Sequence, residues 1–104
     1  MQILFNTDHN VSGSKDLIAS ATSLISEELS RFSDQITRVE VHLSDENGHK
    51  EGLNDKRCML EARLAGLKPI AVTDQADTLE QAVSGAIDKL ITSLDKITGR
   101  LNNH

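Results

Sequence analysis

Lys89, Lys96 and Arg100 follow one another at i, i+7 and i+11. On an α-helix that spacing gathers three cations within about 40° of arc. Such a row suits a run of phosphate groups, which draw cations by charge and by release of counterions. Asp88 and Asp95 fall on the opposite flank, while Ala82, Gly85, Thr92 and Ser93 lie on or near the basic one, so no acid of this segment interrupts it. Lys56, Arg57, Arg63 and Lys68 form a second basic group, with Glu61 the one acid across residues 56–68. Strand alternation puts Arg57 and Arg63 on one face. Each group also has a plain reading: lysines solvated along an amphipathic helix, and a strand face paired across the sheet, as Arg63 with Glu40 or Arg38 with Glu61.

Other chemistry finds little support. His9, His42, His49 and His104 show no ligand spacing of a structural zinc site, and Cys58 has no partner thiolate. A Cys58–histidine nucleophile pair is conceivable, but the alternation turns Cys58 inward, where a thiol behaves as a small hydrophobe. No nucleophile elbow, glycine-rich phosphate loop or zinc-protease helix is present. Glu27-Glu28 and Asp45-Glu46 are adjacent carboxylates in surface segments, a pattern of solvation. The expectation is a protein without catalysis, cofactor or metal.

The elements that must carry these cations can be read from periodicity. Residues 2–7 form a short strand around Ile3, Leu4 and Phe5, and Asp8 to Ser14 a loop in which Ser12 or Ser14 caps a helix. Ile18, Ala21, Ile25, Leu29 and Phe32, widened by Leu17 and Leu24, predict that helix over 15–32. Residues 36–43 alternate cleanly, with Val39, Val41 and Leu43 inward and Arg38, Glu40 and His42 outward. An exposed hairpin loop fills 44–55. A third strand spans 56–64 with Cys58, Leu60, Ala62 and Leu64 inward, and a turn at Gly66-Leu67-Lys68 leads to a fourth over Pro69–Thr73. Asp77 or Thr78 then caps a helix to about Arg100, whose stripe is Leu79, Val83, Ala86, Leu90, Leu94, Ile97 and Leu101, with Gly99, Asn102 and Asn103 closing it. Strand, helix, three strands, helix makes an α+β fold: a two-layer βαβββα arrangement, two helices on one face of a four-stranded mixed sheet, as a single domain over 1–104.

Composition narrows the partners. Phe5 and Phe32 are the only aromatic residues, so base stacking on an aromatic platform is excluded in practice. No apolar run approaches a membrane span, the N-terminus lacks the basic start of a secretory signal, and the lone cysteine suits a reducing compartment, which together predict a cytoplasmic protein off the membrane. Eleven Lys and Arg stand against sixteen Asp and Glu, a formal charge of −5. A phosphate binder usually carries the opposite balance, so any basic surface here must be local. Residues 34–55, with six acidic and two basic side chains, take much of the excess.

Several segments together carry a family likeness. Met1-Gln2-Ile3, Asp34-Gln35-Ile36-Thr37-Arg38-Val39-Glu40-Val41 and Gln81-Ala82-Val83-Ser84-Gly85-Ala86-Ile87-Asp88-Lys89-Leu90 resemble the hibernation-promoting factor and ribosome-associated inhibitor family. Asp55-Lys56-Arg57-Cys58, Glu61-Ala62-Arg63 and Pro69-Ile70-Ala71-Val72-Thr73 are similar to a branch of shorter relatives. The likeness is colinear over essentially the whole chain. It implies a ribosome-associated translation regulator of stationary phase or stress, which binds the small ribosomal subunit and its rRNA in the mRNA and tRNA channel. Carried over by position, Lys56, Arg57, Arg63, Lys89, Lys96 and Arg100 would be its nucleic-acid-binding residues. The last helix departs from the family in holding Ile91, Thr92, Asp95, Ile97 and Gly99 where relatives are more basic. The alternative is a protein-interaction module on the same fold, forming a homodimer or hetero-complex, that has lost rRNA binding.

Overall fold

The computed structural model describes residues 1–7, 15–45 and 55–102, with side chains to Ile97. The expected loop at 8–14, most of the hairpin loop, and His9, His49 and His104 lie outside the described residues.

The alternation of β-branched and charged residues produces the centre of the sheet. β1 (Gln2–Thr7) runs parallel to β2 (Ile36–Asp45), with Ile3 opposite Val39 and Phe5 opposite Val41. β3 (Lys56–Leu64) and β4 (Ile70–Ala76) continue antiparallel, giving the order β1-β2-β3-β4. The expected inward sets, Val39, Val41 and Leu43 on β2 and Cys58, Leu60, Ala62 and Leu64 on β3, are all buried. The register shifts between Ile36 and Arg38, and there the Thr37 hydroxyl donates to the Arg63 carbonyl at 3.1 Å. Gly66 takes φ +74°, a left-handed turn favoured by a residue without Cβ, and leads into β4.

α1 (Lys15–Glu28) and α2 (Leu79–Asn102) supply the second layer. Ala21, Ile25, Leu29 and Phe32 are buried as their spacing predicts, but the helix does not stay α to Phe32. It ends at Glu28 and tightens into a 3-10 turn over Ser30–Phe32, with Phe32 N donating to Leu29 O at 2.9 Å. The shorter bond satisfies a carbonyl at the helix end, and the turn still delivers Phe32 to the core. Thr78 is the N-cap of α2: its hydroxyl accepts from Gln81 N at 3.1 Å and its carbonyl from Ala82 N at 3.0 Å. The α2 backbone remains helical through Gly99 to Asn102, so Gly99 does not terminate it.

The apolar face of α2 is wider than a narrow stripe. Ala82 and Ile87 are buried alongside Val83, Ala86, Leu90 and Leu94. Each fully buried aliphatic side chain contributes about 1.5–3 kcal/mol, so this face anchors the helix. Ala82, placed by sequence on the basic flank, is instead core, because that flank packs over β4. At Gly85 the approach is closest: a Cβ there would collide with the Asp74 carboxylate and lie 2.7 Å from its Cγ.

This contact has a direct test. Gly85→Ala improves helix propensity by about 1 kcal/mol when nothing opposes the methyl group. With Asp74 in place the methyl displaces the carboxylate and the gain is lost; in an Asp74→Ala background it returns. Denaturant unfolding of the two single variants and the double variant should show non-additivity of about 1 kcal/mol. Equal effects of Gly85→Ala in both backgrounds would refute the contact.

Candidate nucleic-acid interface

The end of the sheet where β3 begins is polar on both faces. On the helix side, Asp45 from β2 and Lys56 from β3 sit opposite one another, and Asp55 immediately precedes Lys56. Lys56 Nζ lies 3.0 Å from Asp55 Oδ1 and 3.2 Å from Asp45 Oδ2, and both acids are buried. The hydrogen bond to Asp55 chiefly holds the Lys56 ammonium above its ordinary range, against the opposing pull of partial burial, with Asp45 adding to it. Its charge is thus committed to two carboxylates that would be costly to leave without a counter-charge.

Arg63 lies on the outer face among acids. Its Nε stands 3.5 Å from Glu61 and 3.8 Å from Glu40, and Glu40 also takes the Arg38 guanidinium at 3.2 Å. The diagonal Arg63–Glu40 pair is one that strand alternation predicts, whereas Arg38 turns to Glu40 on its own strand.

Arg57 and Lys89 come together at the far edge of the sheet. With Thr73, Asp74 and Gln75 they line an open concavity of about 440 Å³. Gln75 is the β4 neighbour of Arg57, and Asp74 that of Cys58. Asp74 therefore points to the helix layer and Arg57 to the outer face, and the concavity wraps the open edge of β4. Lys89 reaches it from α2, one turn beyond Gly85. Its Nζ donates to the Thr73 carbonyl at 2.8 Å and pairs with Asp74 Oδ1 at 3.0 Å. That bond also occupies a carbonyl on an edge strand, which blunts the edge against pairing with another chain. The sequence expectation that no acid meets this flank holds within α2; the acid arrives from β4.

Lys96 is exposed two turns further along α2, and the backbone places Arg100 on the same flank, its side chain lying outside the described residues. The one acid between Lys89 and Lys96, Asp95, is held elsewhere: Arg31 Nη2 pairs with its two oxygens at 2.9 and 3.0 Å while the Arg31 guanidinium stacks 4.4 Å from the Phe32 ring. This ties the 3-10 turn to α2. A smaller hollow on the outer face, between His42, Ser44, Arg57 and Met59, adjoins the same Arg57.

The candidate residues thus divide three ways. Arg57 and Lys89 share one concavity, Lys96 and the Arg100 backbone extend its line along α2, and Lys56 and Arg63 are taken up by Asp45, Asp55, Glu40 and Glu61. Asp74 was not legible as part of this site, because the polar pair Asp74-Gln75 reads as the end of a strand. The signal available was the Gly85–Lys89 interval of one helical turn.

Cys58 is fully buried, as the alternation predicts. Burial, and secondly the charge of Asp74, push its thiol from 9.0 up to about 12. No group of three or more metal-ligating side chains occurs among the described residues, and no described helix is long and apolar enough to cross a membrane.

The fold and the site define a two-layer α+β domain with a four-stranded mixed sheet and cations along its last helix, and sequence comparison places that domain in a family. The model of the family "Sigma 54 modulation protein / S30EA ribosomal protein" matches residues 6–102, and the chain belongs to that family. Its fold is shared with the N-terminal domain of Protein Y from Thermus thermophilus, at a TM-score of 0.74 and 18% identity, covering 93% of this chain and 99% of that one. A ribosomal subunit interface protein from Coxiella burnetii aligns with a TM-score of 0.73 and 22% identity, over 95% and 99% of the two chains. No curated protein matches the chain.

Two measurements probe the buried polar groups. Between pH 9.0 and about 12 the unfolded Cys58 loses its proton and the folded one keeps it, so folding stability declines as pH rises through that window. Lys56, raised by its carboxylates, adds a loss in the same direction above its ordinary range. Denaturant midpoints measured from pH 8 to 11 should fall, and fall less in Cys58→Ala; an identical slope would contradict the buried thiol. Lys56→Met should lower the melting temperature, since it removes a cation that lies 3.0 and 3.2 Å from two buried acids; an unchanged melting temperature would contradict those pairs.

Proposed function

We propose that this chain is a non-catalytic translation regulator that associates with the ribosome in the cytoplasm and binds small-subunit rRNA. Membership of the family over residues 6–102 is the observation that carries the reading. The basic line formed by Arg57, Lys89, Lys96 and Arg100 is the surface it uses. Lys56 and Arg63, held by acids, position this surface more than they touch RNA. Recognition rests on backbone phosphates and shape, since there is no tryptophan or tyrosine to stack on bases.

With few cations on the line, binding is salt-sensitive and modest. Each phosphate contact contributes about 0.7–0.9 to the slope of log K against log salt. In gradient sedimentation the protein should travel with small subunits at low salt and be released as salt rises. Charge reversal of Lys89, Lys96 and Arg100 together should abolish co-sedimentation while leaving the melting temperature within a few degrees. A wild-type protein that stays at the top of the gradient at low salt, in extracts of growing and of stationary cells alike, would refute the proposal.

A second reading, assembly with another protein chain, draws on β1. This edge strand leaves Leu4 exposed, with Met1 before it. Light scattering that finds a dimer, lost in Leu4→Lys and accompanied by no ribosome association, would favour it over the first.

A further inference from the structure

Asp74 sits where an anionic ligand would have to bind. It contacts Lys89 at 3.0 Å inside the Arg57–Lys89 concavity, and the absence of a side chain at Gly85 is what lets it lie there. We propose that the β4-edge concavity is a phosphate-binding site, and that the Asp74 carboxylate is a built-in competitor which the phosphate must displace from Lys89. This rests on the rRNA-binding reading and sharpens it to one site and one antagonist.

An ammonium has three donors. The Thr73 carbonyl takes one at 2.8 Å and Asp74 a second, which a phosphate in the concavity must take over. Thr73 thus keeps Lys89 anchored at the rim whether its anionic partner is Asp74 or a ligand. Gln75 adds an amide on the outer side, next to Arg57. At about 440 Å³ the space exceeds one phosphate group and admits the sugars on either side of it. Among the described residues Asp74 is the one acid that lines it, so a ligand phosphate in the concavity meets this like charge at close range and loses affinity through it. The consequence is a site held below its available affinity by its own fold.

The same phosphate chemistry occurs in an RNA backbone and in free anions, and the experiment separates them. Fluorescence anisotropy with an eight-nucleotide oligouridylate would be read for the full-length wild type, Asp74→Asn and Asp88→Asn across a salt series. Asp88 is an exposed α2 acid away from the concavity, so its substitution makes the same change in net charge. Asp74→Asn should tighten binding about 5-fold at low salt and steepen the salt slope by about 0.7. Asp88→Asn should do less than half as much. Lys89→Gln added to Asp74→Asn should remove the gain. Inorganic phosphate that displaces the oligonucleotide at millimolar concentration would identify a free-anion site; phosphate without effect would identify a backbone site, and either supports the proposal. Equal effects of Asp74→Asn and Asp88→Asn, or a gain that survives Lys89→Gln, would overturn it. Should Asp74→Asn not fold, Lys89→Gln alone decides: it leaves Asp74 uncompensated in the concavity and must weaken binding at low salt, and an unchanged affinity overturns the proposal. Wild-type sedimentation is independent of these variants. A protein that rides on ribosomes with no special effect of Asp74 loses only this inference, and one that shows the Asp74 effect without ribosome association loses only the proposed function.

Discussion

The approach of α2 to β4 at Gly85 is the constraint on which the arrangement of this domain turns. A helix laid on a sheet normally keeps a layer of side chains between the two backbones. Here one position of α2 has none, and a carboxylate from the edge strand fills the gap. The close approach brings Ala82 and Ala86 into the core beside Gly85, and it sets Lys89 one turn on, where it reaches over the strand to the Thr73 carbonyl. A larger residue at Gly85 would push the Asp74 carboxylate out of its place beside Lys89. Packing at one glycine therefore decides whether the acid of the edge strand meets the basic flank of the helix.

The same economy appears at the other polar contacts. Acidic residues outnumber basic ones, yet they are not spread as a repelling shell. Asp45 and Asp55 hold Lys56, Glu40 and Glu61 hold Arg63, and Asp95 holds Arg31. The exposed pairs among these contribute less than about 1 kcal/mol each in water. Their larger effect is on which cations remain available. Arg31 and Arg63 are drawn onto neighbouring acids, and Lys89 and Lys96 keep basic character along one side of α2. A net charge of −5 is thus compatible with a phosphate-facing surface, because the excess acid is consumed locally or placed elsewhere.

Most of the fold could be read from the chain because most of it is periodic. Val39, Val41 and Leu43 against Arg38, Glu40 and His42 leave no choice of face, and the stripe from Val83 to Leu94 leaves none for α2. Where periodicity fails, the reading fails with it. Ser44-Asp45 and Asp74-Gln75 continue their strands, but their side chains are those of turns, so both strands were expected to stop short. What extends them is tertiary: Asp45 is opposite Lys56, and Asp74 fits against Gly85, and neither partner is near in sequence. The tightening of α1 after Glu28 was hidden for a related reason, since Leu29 and Phe32 are separated by three residues, an interval that serves a 3-10 turn as well as an α-helix. The site suffered most, because it is built from these extensions: cations are visible in a sequence, and the acids that will neutralise them are visible only after folding.

That distinction bears on how the charge of such a domain should be counted. A cation already paired in the free protein cannot release a counterion when a phosphate arrives; it exchanges one anion for another. The salt dependence of binding then reports the cations that are exposed to solvent beforehand, such as Lys96, more than those that are committed, such as Lys89 and Lys56. Counting Lys and Arg along the last helix therefore overstates the electrostatic drive of this chain, while its overall acidity understates it. The relevant quantity is the difference between the pairs broken and the contacts made. In this fold that difference is set by the position of one carboxylate relative to one glycine.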